Sequence, residues 1–405
     1  MIAATAMCAA AATEASAQDG SLVLNNQLQL GDVISGQTLN VEGATDQVTV
    51  SNSAQGNSLS GSVENDSLTV RSTQTMRGDA RATTEMTLGG DTEGAVSAVT
   101  QAGGNYLAAG AYGADLEIDA TQTVDGGEIV ANSAIRGGTA RLLGGGSVAV
   151  SAIANTTALG GTGASVTGSI DQSSDASVRA GNLAETQYIP ATASFTSQAF
   201  GNAVAATTDA ASNQNLSVRQ RSTGGVIDAD VSANAGNAWD MAGRANAAAN
   251  QAAFANQGGS IVVVTDQGNT SAVRSNAIVT AYDFGAATAH AQGAGNAVSA
   301  GNNDVYLEID NSQLNSGGVE VSASFSGGNG YDAYVGADAV GNTVTGYACS
   351  ECEGVLIATN AQTNDGGVSA TASTTVQGSG RAVITGTNAV GNAASFYVSR
   401  SGSGD

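Results

Sequence analysis

Leu116-Glu117-Ile118-Asp119, followed by Gln122 and Gly126-Gly127, returns almost unchanged as Leu307-Glu308-Ile309-Asp310, Gln313 and Gly317-Gly318. Every matched position is displaced by 191 residues, close to four units of 48. The same cassette occurs as Leu68, Val70, Gln74 and Gly78, and as Leu356, Ala358, Gln362 and Gly366-Gly367. A shortened copy reads Leu216, Val218, Gln220 and Gly224-Gly225. Self-similarity at a fixed spacing of this length marks a repeat architecture. Two series of amides carry the period along the chain. One is Gln74, Gln122, Gln172, Gln220, Gln267, Gln313 and Gln362; the other is Asn57, Asn105, Asn155, Asn202, Asn250, Asn296, Asn342 and Asn392. Spacings in both stay between 46 and 50 residues, and six of the eight asparagines follow a glycine.

Within the units, apolar residues alternate with polar ones. Val319, Val321, Ala323 and Phe325 fall on one face of an extended chain, as do Ala229, Val231, Ala233 and Ala235, and Val368, Ala370 and Ala372. Period two is a strand signal, and the Gly-Gly and Gly-Asn pairs between such runs are turn signals. The expectation is an all-β chain, a repetitive β-solenoid or β-helix-like rod over residues 48–400 with a repeat of about 48 residues and two coils per repeat. Some fifteen coils stacked at the interstrand spacing of about 4.8 Å would give a rod on the order of 70 Å long. A segment or cap at 18–47 precedes the rod and a flexible tail at 401–405 follows it. The glutamines and asparagines either line up in amide ladders along the axis or sit in turns; the uneven steps, 17 residues from Asn57 to Gln74 and then 31 to Asn105, leave the coil boundaries open.

Composition closes several functional classes. The 405 residues carry 55 Gly, one Pro and one His, and their 12 basic residues, all Arg, stand against 35 acidic ones. A net charge of −23 argues against nucleic-acid binding, which needs cationic side chains at phosphates. With no Lys there is neither a P-loop lysine nor Schiff-base chemistry. Three Cys and His290 are too few soft ligands for a zinc or copper site. Residues 1–17 read as a secretory signal, an Ala-rich apolar stretch ending in Ala15-Ser16-Ala17 and lacking a basic start, so the chain is expected to be exported. In an exported chain Cys349 and Cys352 are expected to form a disulfide across one turn, adding little stability because the loop is short.

Candidate sites are few, and each has a plainer reading. Arg77-Gly78-Asp79 spells an integrin-type tripeptide but falls at the turn of the cassette. Gly327-Gly328-Asn329-Gly330-Tyr331-Asp332-Ala333-Tyr334 fits one copy of a calcium-binding nonapeptide, a motif that works in tandem; calcium is a weak candidate ligand, and otherwise no cofactor or metal residue is expected. His290 lacks a neighbouring nucleophile in sequence. Glu308 and Asp310 recur as Glu117 and Asp119, as a solvated outer face would. Trp239 and Tyr282, Tyr306, Tyr331, Tyr334 and Tyr347 either fill the core or stack on sugars from the surface of a rigid rod.

The Gly-Asn steps with recurring Gln are similar to the curlin-type repeats of surface amyloids. The whole chain more closely resembles the HfaD family of holdfast anchor proteins of stalked alphaproteobacteria. The Ala-rich signal ending at Ala17, the opening Leu22-Val23-Leu24-Asn25-Asn26 and the closing Asn388-Ala389-Val390-Gly391-Asn392 carry that resemblance. It implies a non-enzymatic protein of the cell surface and outer membrane that anchors an adhesive polysaccharide at the cell pole. It also implies two partners, a curli-subunit-like anchor protein and an outer-membrane lipoprotein like the curli secretion pore, and offers no catalytic residues. Equivalent repeats would act by avidity, and open terminal coils would favour self-association. The competing reading is a secreted β-helix enzyme acting on polysaccharide, which would gather acids or Arg in a groove on a few neighbouring coils.

Overall fold

The structure, a computed structural model, describes residues 20–209, 212–304, 306–349 and 354–398. The expected signal, the tail at 401–405 and Cys352 lie outside the described residues. All twenty elements are β-strands joined by parallel pairing, as a β-solenoid requires. Three sides make one coil. The first coil holds β1 (Ser21–Gln29), β2 (Val33–Val41) and β3 (Val48–Glu64). The second holds β4 (Leu68–Met76), β5 (Ala80–Leu88) and β6 (Val96–Tyr112), and the third β7 (Leu116–Val124), β8 (Glu128–Arg141) and β9 (Gly146–Thr162). In the next four coils the second and third sides run on as one bent strand: β10 (Ser165–Ser174) with β11 (Ser177–Thr208), β12 (Asn213–Ser222) with β13 (Val226–Asn256), β14 (Ser260–Asn269) with β15 (Ala272–Asn302), and β16 (Tyr306–Asn315) with β17 (Val319–Ala348). The eighth coil returns to three strands, β18 (Val355–Asn364), β19 (Val368–Val376) and β20 (Ala382–Val398). Within the expected cap, Ser21–Gln29 and Val33–Val41 thus form two sides of the first coil.

The expectation of two coils per repeat is corrected. β4 pairs with β7 in the register Leu68↔Leu116 through Met76↔Val124, so neighbouring rungs are one whole unit apart, and eight coils form instead of about fifteen. Seven steps of about 4.8 Å give a stack of about 34 Å. The uneven 17- and 31-residue steps arise because Gln and Asn sit on facing walls of the same hollow. Each coil is flattened: its long third side faces the two short sides laid end to end.

Two apolar compartments result. In one, Leu116, Ile118, Leu307 and Ile309 of the first sides pack against Leu107, Val204 and Val298 of the third. In the other, Ile129, Val178 and Ile227 of the second sides pack against Val148, Phe195 and Ala245. The amides stand between them. Gln74 donates through Nε2 to Gln27 Oε1, Gln122 to Gln74, and so on through Gln362 to Gln313, at 2.6–2.9 Å. Each Nε2 also donates across the gap to a third-side carbonyl, as Gln122 does to Thr156 at 3.0 Å and Gln172 to Ala203 at 3.1 Å. Asn57 begins the second ladder and donates to Asn105 Oδ1, and the series runs on to Asn342 donating to Asn392, every bond 2.8 Å long. Each of these Nδ2 groups also reaches a carbonyl on the first side of the next coil, Asn105 to Thr123 at 2.9 Å. Gln27, an eighth rung, was not in the series read from the sequence, although its spacing of 47 from Gln74 matches.

The glycine before the asparagine answers to the same pinch. A Cβ on Gly104 would lie 2.8 Å from Val124 Cγ2 and 2.5 Å from the Ala154 carbonyl. At the turn between the first and second sides, Gly126 and Gly127 take φ of 78° and 82°, the left-handed region.

Replacing Gln172 by Leu should strand the Gln220 amide and the Ala203 carbonyl, at about 1–3 kcal/mol for each buried group. The same change at the half-exposed first rung, Gln27, should cost less. Denaturant unfolding of the two variants measures the difference; equal losses would mean that the ladder does not stabilise the interior.

Candidate functional site

Where the second side turns into the third, alternation breaks and two consecutive residues face outward: Gln187-Tyr188, Gly236-Asn237 and Tyr282-Asp283. The next residue, Ile189, Ala238 or Phe284, plugs the interior. Pairing shifts register between Ile189 and Thr192, a bulge of the kind that re-aims side chains. Tyr188, Asn237, Asp283 and Asn329 form one column along this corner. Trp239 and Tyr331 lie two residues further along their own coils, and Tyr282 one residue before the column.

These offsets bring four aromatic side chains from four successive coils to one strip of surface. Trp239 is 59% exposed, and Tyr188, Tyr282 and Tyr331 are exposed too. Trp239 and Tyr331 are two coils apart, yet their rings meet edge to face at 6.0 Å between centroids. Gly285, in the coil between, makes that contact: a Cβ there would collide with the Trp239 carbonyl oxygen and stand 3.1 Å from its ring. Gly328 likewise leaves room for Tyr282, whose ring would be 3.2 Å from an added Cβ. The Trp239–Tyr331 pair separates two open depressions of about 480 Å³ each. Tyr188, Asn237, Asp283 and Asn329 line the first; Asp240, Asp332 and Arg381 line the second.

The polar groups differ in availability. Arg381 donates through Nε to Asp332 Oδ1 at 2.9 Å, and its guanidinium stands 5.5 Å from the centre of the Tyr331 ring. That hydrogen bond holds the Asp332 carboxyl below the usual carboxylate range. Asp240 accepts from Thr192 Oγ1 at 3.1 Å. Asn237 and Asn329 accept backbone N–H bonds from Asp283 and Ser379, which leaves their amide N–H groups directed elsewhere. The Asp283 carboxylate accepts no hydrogen bond among the described residues. Aromatic faces beside free amide donors and a free carboxylate suit a ligand with apolar C–H faces and hydroxyl groups.

The other residues singled out from sequence fall elsewhere. Tyr306 donates to Glu308 at 2.6 Å on the first-side sheet, Tyr347 stacks on Tyr397 at 5.9 Å, and Tyr334 lines a separate depression with Arg244 and His290. Five phenylalanines, Phe195, Phe200, Phe254, Phe284 and Phe325, are the buried aromatics. His290 Nε2 meets Asp338 Oδ2 at 3.1 Å on a diagonal, because the register there sets His290 beside Gly336. Asp310 and Asp119 lie on the first-side sheet, where Asp119 accepts from Ser169. Arg77 pairs with Asp125, and Asp79 is taken up by Arg81 and the Glu128 amide, so the tripeptide is bound into its turn. Of the nonapeptide at 327–334, Asn329, Gly330, Tyr331 and Asp332 line the groove as its seventh-coil wall. Cys349 is buried and disulfide-bonded. Tyr188 was missed from sequence because it stands in a different unit and register from the tyrosines that cluster near the C-terminus.

The family model described as Holdfast attachment protein D matches residues 42–318, well over half of the chain. No curated protein and no solved structure matches it.

Gly285→Ala drives a Cβ into the Trp239 carbonyl and against its ring, so it should both shift Trp239 emission and lower the melting temperature; an unchanged emission spectrum would mean that the bare position does not hold the ring. The Asp332–Arg381 pair contributes above the ordinary aspartate pKa and is lost only as pH falls through the depressed folded value. Trp239 emission is therefore expected to stay flat from pH 7 to pH 5 and to change below the ordinary aspartate range.

Proposed function

The chain belongs to the holdfast attachment protein D family, and on that premise we propose that it fastens an adhesive polysaccharide to the cell surface through the aromatic corner groove. The observation that carries this reading is the Trp239–Tyr331 pair, held outward over Gly285 with a depression on either side. A soluble protein ordinarily buries Trp; here the ring is most of the way into solvent and has a fixed neighbour. Sugar rings present C–H faces that stack on such aromatics, and their hydroxyls suit the Asn237, Asn329 and Asp283 groups. Tyr188, Trp239, Tyr282 and Tyr331 follow successive rungs, so the strip is about 14 Å long and touches several units of an extended chain. Weak contacts in series then accumulate as avidity.

In this reading the anchoring lies at the outer membrane of the cell pole, with a curli-subunit-like anchor protein and a curli-pore-like lipoprotein as partners; the family's holdfast attachment role supports it. Among the described residues no helix is long and apolar enough to cross a membrane.

One observation favours the enzymatic alternative: the fold does gather Asp240, Asp283, Asp332 and Arg381 at one corner. Glycoside hydrolysis, however, requires a proton-donating acid with a raised pKa facing a second carboxylate. Asp332 is shifted the opposite way by Arg381, Asp240 is engaged by Thr192, and the carboxyls that burial does raise, Asp228 and Asp230, line neither depression. Attachment is the better reading.

Trp239→Ala and Tyr331→Ala together should make cells shed adhesive of unaltered chain length into the medium. Truncating each exposed ring should weaken binding of the purified protein to the extracted polysaccharide about tenfold, without changing its melting temperature. Wild-type retention by the double variant would exclude the groove as the contact, and shortening of the polysaccharide by purified protein would establish an enzyme.

A further inference from the structure

We propose that the depression around Arg244 and His290, on the outer face of the third side, is a second contact for the polysaccharide and takes a sugar that carries a carboxylate, a hexuronate. The proposal rests on the attachment reading and names the chemistry of the chain that is attached. Charge carries it first. Arg77, Arg81, Arg136, Arg141, Arg219, Arg221, Arg274 and Arg381 each form an ion pair with a carboxylate of the chain. Arg71 and Arg179 stand beside Asp119 and Asp228 on the neighbouring rung. Among the described arginines that leaves Arg244, which has Thr196 on one side and His290 on the other, and which makes no ion pair or hydrogen bond among the described residues. In a chain of net charge −23, an exposed guanidinium kept clear of acids is open to a carboxylate from outside. Its planar fork can hold one through two parallel hydrogen bonds.

The carboxylates nearby are already engaged. Asp338 meets His290 Nε2, Asp332 accepts from Arg381, and Asp240 accepts from Thr192. By accepting the Nε2 proton, Asp338 leaves Nδ1 of an uncharged ring as an acceptor for a sugar hydroxyl. Gly336 and Gly386 continue the Arg244–His290 column into the seventh and eighth coils. A Cβ on Gly336 would stand 2.6 Å from His290 Cδ2, so the imidazole leans over that bare position, and nothing lies within 4 Å of a Cβ on Gly386. The result is a recess of about 450 Å³ with a backbone floor, flanked by Tyr334, 43% exposed, and Ile384, 53% exposed. A sugar ring can lie on this floor with a C–H face against Tyr334 or Ile384 and its carboxylate toward Arg244. Arg244 follows Trp239 by five residues of extended chain, roughly 16 Å. A polysaccharide seated on the Trp239–Tyr331 pair therefore reaches the recess by running along the third side.

The test titrates the purified full chain with tetragalacturonate and with the same oligomer after its carboxylates have been reduced to alcohols. The acidic form is expected to bind about fivefold more tightly, an advantage that added salt diminishes. Arg244→Gln, on the exposed face, should abolish the advantage at unchanged melting temperature, while Arg71→Gln should retain it. Equal affinity for the two oligomers, failure to bind either, or an advantage that survives Arg244→Gln would overturn the proposal. So would equally tight binding of tetraglutamate, which would show that the recess reads charge without a sugar. The extracted polysaccharide separates this site from the corner groove. If it still requires Trp239 and Tyr331 while the oligomers bind alike, the carboxylate site alone falls. If the acidic preference holds while the double variant at Trp239 and Tyr331 binds the extracted polysaccharide as wild type does, the groove alone falls.

Discussion

A side-chain amide that must reach a backbone carbonyl on the opposite wall sets the dimensions of everything else in this rod. The Gln side chain spans the hollow from the first side to the third, and the Asn spans it the other way. Their bond lengths fix how far apart the walls can stand. Ala and Val fill that gap, which is why an interior so poor in large side chains is nonetheless closed. Register is fixed by the same contacts, since a slip of one residue would turn every amide outward and bring a polar outer residue in. Buried amides are costly unless both N–H groups are used, and here each has one partner along the axis and one across it.

The corner groove is the converse case, a place where the interior rule is suspended. Two outward residues in succession relieve the alternation, and Gly285 and Gly328 in the following coils replace the side chains that would cover Trp239 and Tyr282. The abundance of glycine and the scarcity of aromatics belong together. Trp239 and Tyr282 lean over a neighbouring rung only because that rung has no Cβ at Gly285 and Gly328. Arg381 and Asp332 close the distal side, and their mutual hydrogen bonds keep the pair rigid against Tyr331.

Much of the fold was legible in the sequence because a buried amide recurring at one spacing is a signal that composition alone does not produce. Strand class followed from Val319, Val321, Ala323 and Phe325, all of which face inward. The number of coils was not legible, because steps of 17 and 31 residues describe equally well two coils and two facing walls; the pairing Leu68↔Leu116 decides between them. The groove was half legible. Trp239, Tyr282 and Tyr331 stood out by type, but they occupy different registers of the corner, two residues past and one before a shared column. No period could tag them, and Tyr188 carried no signal until the stack placed it alongside.

The parallel stacking has a mechanical corollary. The first and last strands lie at opposite ends of the pile, so a pull applied between them acts perpendicular to every strand and opens rungs one after another, as a zipper opens. Each coil released would add on the order of 150 Å of extended chain, more than four times the resting height of the whole stack. A tether built this way yields by lengthening before it lets go, and closes again coil upon coil when the tension falls.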